Sequence, residues 1–202
     1  RTLMLAHFGP SAYAMGTRPA DRSLPEGPLT PKGRALLAEM SSLRMPLDLT
    51  HLCDESLWEA IGAFDGRIYA SHSNCRALAD TLRQLPDEAI RRIAGREGVV
   101  GIALYWKMLK AGPGVSAADV DLETVADHVD RVCQVSGSAR HVALGTDLDG
   151  GFGAEATPRG IDTVADVHRL EDVLVRRGHG DEVVAGFFHA NWLRFWREGL
   201  PC

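Results

Sequence analysis

The sequence predicts an α/β fold of parallel strands, and three observations carry that prediction. Strand and helix signals alternate from end to end in about five strand-then-helix units. The strand segments read as continuous apolar runs, which belong to a parallel sheet covered on both faces. Polar residues, namely His7, His51, His72 and Asp147, stand where strands end. A doubly wound open sheet and a (β/α)8 barrel both satisfy the first two observations. The third favours the barrel, whose reactive residues come from the C-terminal ends of several strands. No glycine-rich dinucleotide fingerprint follows the first strand, which weakens the open-sheet alternative.

The elements follow in order. "TLMLAH" (2–7) is a short apolar strand closing on His7, and "GTRPADRSLPEGP" (16–28) is a long Gly/Pro-rich loop. Thr30 as N-cap and Pro31 at the first helical position open a helix through "KGRALLAEMSSL". A strand over 45–51 ends on His51, after which Asp54 is placed to cap the helix "ESLWEAIGAF". Asp65 and Gly66 turn the chain into a strand over 67–72, ending on His72. The loop "SNCRALADTLRQL" leads to the helix "DEAIRRIAGRE" and then to the buried run "GVVGIALYW" (98–106). "LETVADHVDRVCQVSG" has a 3.6-residue period and stops at Gly137. The strand "HVALGTDLDGG" and two helices, "TVADVHRLEDVLVRRG" and "DEVVAGFFHANWLRFWREG", close the series, with no linker or low-complexity tract interrupting it.

The 202 residues, 45% hydrophobic and 24% charged, suffice for one domain with a substantial core. A net charge of −5 without a basic stripe gives no reason to expect nucleic acid, and Arg91–Arg92 reads as a solvated helix face. No apolar run approaches the roughly 20 residues of a membrane span. Cys53, Cys75, Cys133 and Cys202 form no CxxC pair and read as small buried hydrophobes. The chain opens in mid-strand on Arg1, so targeting signals at a true N-terminus would not be visible. The compartment stays open, leaning to the cytoplasm.

Any one strand-end histidine reads as a packed core or loop residue, but three at corresponding positions are harder to explain that way. If strands 45–51 and 67–72 are neighbours, His51 and His72 emerge on one rim, roughly 5 Å apart at the backbone. Two imidazoles that close can share a metal ion. Asp147, in "GTDLDGG", stands where a carboxylate can handle the protons of a metal-activated water. Asp149 reads as a turn or capping residue. "HVD" (128–130) has metal-site spacing, but in a helix residues i and i+2 diverge, so it reads as structural. His141, His168, His179 and His189 also read as structural or exposed, and Cys75 lacks an oriented base and so is not read as a nucleophile.

"LTPKGRALLAEMSSLRMPLDLTHLCDESLWEAI", "ASHSNCRAL", "LRQLPDEAI", "GVVGI", "VADHVDRV" and "GTDLDGG" together resemble the membrane (renal) dipeptidase family, peptidase family M19, over nearly the whole chain. The resemblance implies a (β/α)8 TIM-barrel metallo-hydrolase that cleaves dipeptides with zinc, a metal-bound water attacking the peptide carbonyl. It implies that His51 and His72 are metal ligands of the second of two zinc ions. His7 resembles the histidine that contacts the substrate carbonyl, and Asp147 the aspartate that exchanges protons with the attacking water and the leaving amine. Arg83 of "LRQLPDE" resembles the arginine that grips the dipeptide's C-terminal carboxylate. Small dipeptides, some with a D-residue at the C-terminal side, are the implied substrates; separately, a homodimer is a candidate assembly.

The chain also departs from the family pattern. The H-x-D strand and bridging Glu that supply the first zinc site have no counterpart here, and a full barrel typically needs about 250 residues. Residues 1–202 are therefore expected to be the C-terminal portion of a single barrel domain, an incomplete barrel of about five βα units. Ala103 and Gln84 stand where the family often carries Asn. A fragment that only binds peptide or a partner, and another metal-dependent amidohydrolase, are the competing readings.

Overall fold

The computed structural model describes residues 1–17 and 26–199. Residues 18–25 of the expected Gly/Pro-rich loop, and Cys202, lie outside the described residues. β1 (Leu3–Met4) is followed by a small antiparallel hairpin, β2 (Gly9–Pro10) with β3 (Met15–Gly16), which the sequence pattern did not announce. Then come β4 (Leu47–Asp48), β5 (Ile68–Tyr69), β6 (Val100–Ile102) and β7 (Val142–Leu144). β1, β4 and β5 pair in parallel, as do β6 and β7, and a parallel bridge between Ala70 and Val100 joins the two sets. The strands thus lie side by side in chain order, without the reversal that defines a doubly wound sheet.

The ladders are shorter than the apolar runs suggested. The strand expected over 45–51 stops at Asp48, because the Asp48 carboxylate takes the N–H of Thr50 at 3.0 Å and His51 is left-handed, with φ +71°. Towards β4 the strand expected over 67–72 likewise stops at Tyr69, where Ser71 N–H turns to the same carboxylate at 3.0 Å, while on its other side Ala70 and Ser73 stay bonded to β6. Polar side chains at the strand ends thus replace ladder partners with their own oxygens.

Helices cover the outer face. α1 (Pro31–Ser42) starts as expected, with Thr30 Oγ1 accepting Gly33 N–H at 3.0 Å. α2 (Asp54–Ala63) has Cys53 as its N-cap, not Asp54. Asp54 is instead the first helical residue, and its carboxylate is held by both Nη atoms of Arg76 at 2.6 and 2.7 Å, a stronger bidentate partner than a helix N–H. α3 (Asp87–Ala94) and the short α4 (Trp106–Leu109) precede α5 (Leu122–Ser136), which Asp121 and Thr124 cap and which ends at Gly137 with φ +74°. α6 (Arg169–Arg176) follows a 3-10 turn over Val164–His168. The last expected helix is α7 (Asp181–Ala185) and α8 (Asn191–Gly199) joined by a π turn. Asn191 pins that turn by donating to Ala139 O and Val142 O, both at 2.8 Å.

Alternation along the strands sorts the side chains. Leu47, Ile68, Val100, Ile102 and Val142 pack outward in one core with residues of α1, α2, α3 and α5, among them Leu37, Leu57, Ile90 and Val129. Tyr69, Val99 and Ala143 form a second cluster with Phe195, Trp192 and Trp196 of α8. Arg67 donates to Phe195 O and Arg194 to Arg140 O, both at 2.9 Å, which anchors α8 at the strand starts, and Trp192 Nε1 donates to Leu144 O at 2.9 Å further along β7.

The structural histidines are placed as the sequence implied. His141 Nδ1 bonds Gly98 O at 2.9 Å and His179 Nε2 meets Asp130 at 2.7 Å, while His168 and His189 are exposed. His128 is fully buried: Nδ1 accepts Cys75 N–H at 3.1 Å and Nε2 donates to Leu109 O at 2.9 Å, tying two strand-end loops to α5. Burial pushes its pKa down to about 4. Unfolded, the ring titrates near 6.5, so below that pH the unfolded chain binds the extra proton and stability falls as pH drops through 4. The loss amounts to roughly 3 kcal/mol. We predict that the unfolding free energy of the native protein, measured by urea titration, falls more steeply from pH 7 to 4 than that of His128→Gln; parallel curves refute this.

Candidate active site

The strand ends are knitted together from the backbone outward. Asp48 Oδ1 accepts N–H groups from both Thr50 and Ser71, so one buried carboxylate fixes the exits of β4 and β5. Above it, Thr50 Oγ1 and Ser71 Oγ lie 3.3 Å apart, and Ser71 Oγ is 2.8 Å from His72 Nδ1. His51 is held from the other side: Thr17 N–H donates to His51 O at 2.7 Å, and His51 Nδ1 lies 3.3 Å from Thr17 O. A carbonyl only accepts, so His51 Nδ1 carries the proton and Nε2 presents a lone pair. That Nε2 is 3.1 Å from Nε2 of His72.

The remaining expected residues converge on this pair. The His7 ring, exposed just beyond β1, has its centroid 4.3 Å from that of His51, with Phe8 at 5.0 Å from the same ring. Asp147 Oδ1 stands 3.9 Å from His72 Nε2. Asp147 has φ +57°, and a Cβ at Gly150 would lie 2.3 Å from its Oδ1, so the carboxylate holds this place only because residue 150 has no side chain. Arg83 is nearly buried beneath, its Nη1 donating to Ser73 Oγ and its Nη2 to His72 O, both at 2.8 Å. Its Nε has no hydrogen-bond partner among the described residues.

Burial dominates the electrostatics. It lowers His51 to about 2 and His72 to about 3, with the Arg83 charge adding to both, so both rings are neutral at physiological pH. Burial raises Asp147 against the opposing pull of Arg83 and His7. Burial also lowers Arg83 to about 10, with Asp147 and Asp48 resisting. Neutral, converging imidazoles whose Nδ1 atoms are engaged by oxygens fit metal ligation chemically. They supply two donors of the four a zinc ion takes, and among the described residues no group of three or more His, Cys, Asp or Glu side chains could hold a metal.

Cys75 is no nucleophile: burial pushes its thiol up to about 12, Sγ faces His128 O, and Arg76 is committed to Asp54. Ala103 enters through its backbone, since Asn74 Oδ1 accepts its N–H at 2.8 Å and Asn74 Nδ2 donates to its carbonyl at 3.1 Å. Gln84 Oε1 in turn accepts Asn74 N–H at 2.9 Å. The sequence reading missed Asp48, Thr17, Thr50 and Ser71. The signal for three of them lay in "DLTH" and "SHSN", where short polar side chains flank each histidine.

A histidine pair and a carboxylate thus gather at the ends of parallel strands in an α/β fold. Residues 1–199 match the family model described as membrane dipeptidase (peptidase family M19), and the chain belongs to that family. An uncharacterised dipeptidase of Schizosaccharomyces pombe is 30% identical over 169 residues, 84% of this chain and 40% of that protein. A Rhodobacter sphaeroides metallopeptidase crystallised with a phosphinate mimic of L-Ala-D-Ala superimposes with a TM-score of 0.86 at 28% identity, covering 98% of this chain and 56% of that one. A solved M19 dipeptidase matches with a TM-score of 0.81 at 28% identity, over 96% and 55%. The chain thus spans about half the length of these relatives.

Asp48→Ala would leave two buried N–H groups unpaired, at a cost of about 2–4 kcal/mol. Urea denaturation monitored by circular dichroism should show that loss; a change under about 0.5 kcal/mol would remove Asp48 from this role.

Proposed function

We propose that residues 1–202 are the C-terminal portion of a single (β/α) barrel domain, an incomplete arc of about five βα units, and that the complete domain is a zinc-dependent dipeptidase. The observation that carries this reading is the 3.1 Å approach of the two Nε2 atoms with Asp147 beside them at 3.9 Å. The relative crystallised with a dipeptide mimic supports the substrate class.

In this reading His51 and His72 hold the metal, with the remaining ligands outside this segment. Zinc, when bound, supplies Lewis acidity and makes water a nucleophile near neutral pH. His7, exposed on the rim beside His51, hydrogen-bonds the substrate carbonyl oxygen as negative charge develops there. Asp147 takes the proton of the attacking water and returns it to the departing amine; its raised pKa makes it a better proton donor in the second step. Arg83 retains one unpartnered N–H at Nε, and a substrate carboxylate reaching that edge is met by a charge already fixed in direction.

Peptide binding without turnover is the second reading, favoured by the two-donor set alone. Metal analysis of the full-length protein separates them: the dipeptidase reading expects two zinc ions per chain, and none would refute it. His72→Ala should lower kcat/KM for Ala-Ala by about a hundredfold or more. Gly150→Ala should lower kcat by about tenfold or more with KM little changed, because the new Cβ displaces the Asp147 carboxylate. Unchanged kcat in either variant would detach those residues from the chemistry.

A further inference from the structure

The loop that carries Asp147 also builds a cavity that the proton and carbonyl chemistry does not use. Between β7 and α6 the chain encloses about 280 Å3, lined by Leu148, Phe152, Ile161 and Val164, with Asp149 and Asp162 also on its wall. Ile161 is buried, whereas both aspartates are exposed, so the cavity has an apolar floor and an acidic edge.

Its position follows from the chain. Leu148 is the residue after Asp147, and left-handed backbone at Asp147 (φ +57°) and Asp149 (φ +65°) brackets it. Phe152 stacks on Tyr105 with centroids 4.8 Å apart and planes at 24°. Tyr105 follows Leu104, whose N–H bonds Thr146 O at 2.9 Å, so the cavity wall stands over the ends of β6 and β7. It is therefore built by the same loop after β7 that carries Asp147.

The lining selects an occupant. Asp166, nearby in the chain, is taken up by Thr163 and Arg169, but among the described residues neither Asp149 nor Asp162 has an ion-pair partner. An aliphatic stem ending in a cation satisfies both parts of such a wall, its methylenes on the apolar floor and its charge at the wet edge. An uncharged side chain of equal length would gain the floor and leave the carboxylates unanswered. We infer that this cavity receives a long basic side chain, lysine or arginine, of the dipeptide, an assignment that rests on the dipeptidase reading.

The test compares kcat/KM of the zinc-loaded full-length protein for lysine against norleucine, placed in turn at the first and the second position of a dipeptide with alanine. The second residue is supplied in both L and D forms, and Ala-Ala serves as reference. At one position lysine should exceed norleucine by about tenfold at low ionic strength, the ratio shrinking in about 1 M salt as exposed charges are screened. The ratio should approach one in the double variant Asp149→Asn, Asp162→Asn. Hydrolysis of Ala-Ala with norleucine equal to or better than lysine at both positions overturns the cavity assignment and leaves the dipeptidase reading standing. Failure to hydrolyse Ala-Ala and every other dipeptide overturns the dipeptidase reading and the assignment together.

Discussion

The site depends on one constraint: two imidazoles must stay neutral while their nitrogens face each other at 3.1 Å. Water would favour protonating and separating them. Burial removes that option, and the Arg83 charge beneath His72 reinforces it, so each ring keeps a nitrogen lone pair available at neutral pH. The tautomer is then set by oxygen partners. Thr17 O, an acceptor only, fixes the proton of His51 on Nδ1, whereas Ser71 Oγ can donate to His72 Nδ1 or accept from it. One ring is therefore locked and the other adjustable. His72 can carry its proton on Nε2 and donate to His51, or carry it on Nδ1, donate to Ser71 Oγ and leave Nε2 free as a ligand atom.

Holding the rings there requires unusual backbone approach. A Cβ on Gly101 or on Gly145 would fall 2.0 Å from Ser71 O, so the ends of β5, β6 and β7 are closer than residues with side chains allow. That closeness carries directly to the site, because His72 follows Ser71 and Asp147 lies two residues beyond Gly145. On the opposite flank the hairpin β2–β3 delivers Thr17 to His51 and completes the wall around it. Asp48 then does for the backbone what a continued ladder would do, accepting two N–H groups where the strands splay.

Much of this was legible in the sequence, and the exceptions have physical causes. The order of strands and helices, the Thr30 cap, the Gly137 stop and the strand-end placing of His7, His51, His72 and Asp147 follow from periodicity and turn chemistry, which are local. Asp54 looked like a cap because Asp usually is one; a partner 22 residues away, Arg76, competed for it and won. The strands looked longer than their ladders because apolar runs report burial, and buried Leu49 keeps only a last N–H bond to Tyr69 O, at 2.8 Å, beyond the end of β4. The hairpin at Gly9–Gly16 escaped because two-residue strands have no period to detect. Arg83 was legible as a charge belonging to the site but not as a buried one, since burial of a guanidinium depends on the non-local oxygens of Ser73 and His72.

The same buried arginine determines what Asp147 can do. A carboxylate at this depth, next to neutral rings, would be driven toward its protonated form by desolvation alone. Arg83 and His7 pull the other way, but burial is the larger influence and the net direction is upward. Arg83 exerts its pull without a salt bridge: both Nη atoms of Arg83 bond neutral oxygens, so its charge acts on Asp147 through space and is not consumed by it. Direct contact with the guanidinium would pull the Asp147 pKa further down, and its removal would leave burial opposed by His7 alone. The buried position beneath His72 thus sets a fixed positive charge near Asp147 while the guanidinium's own hydrogen bonds go to neutral oxygens.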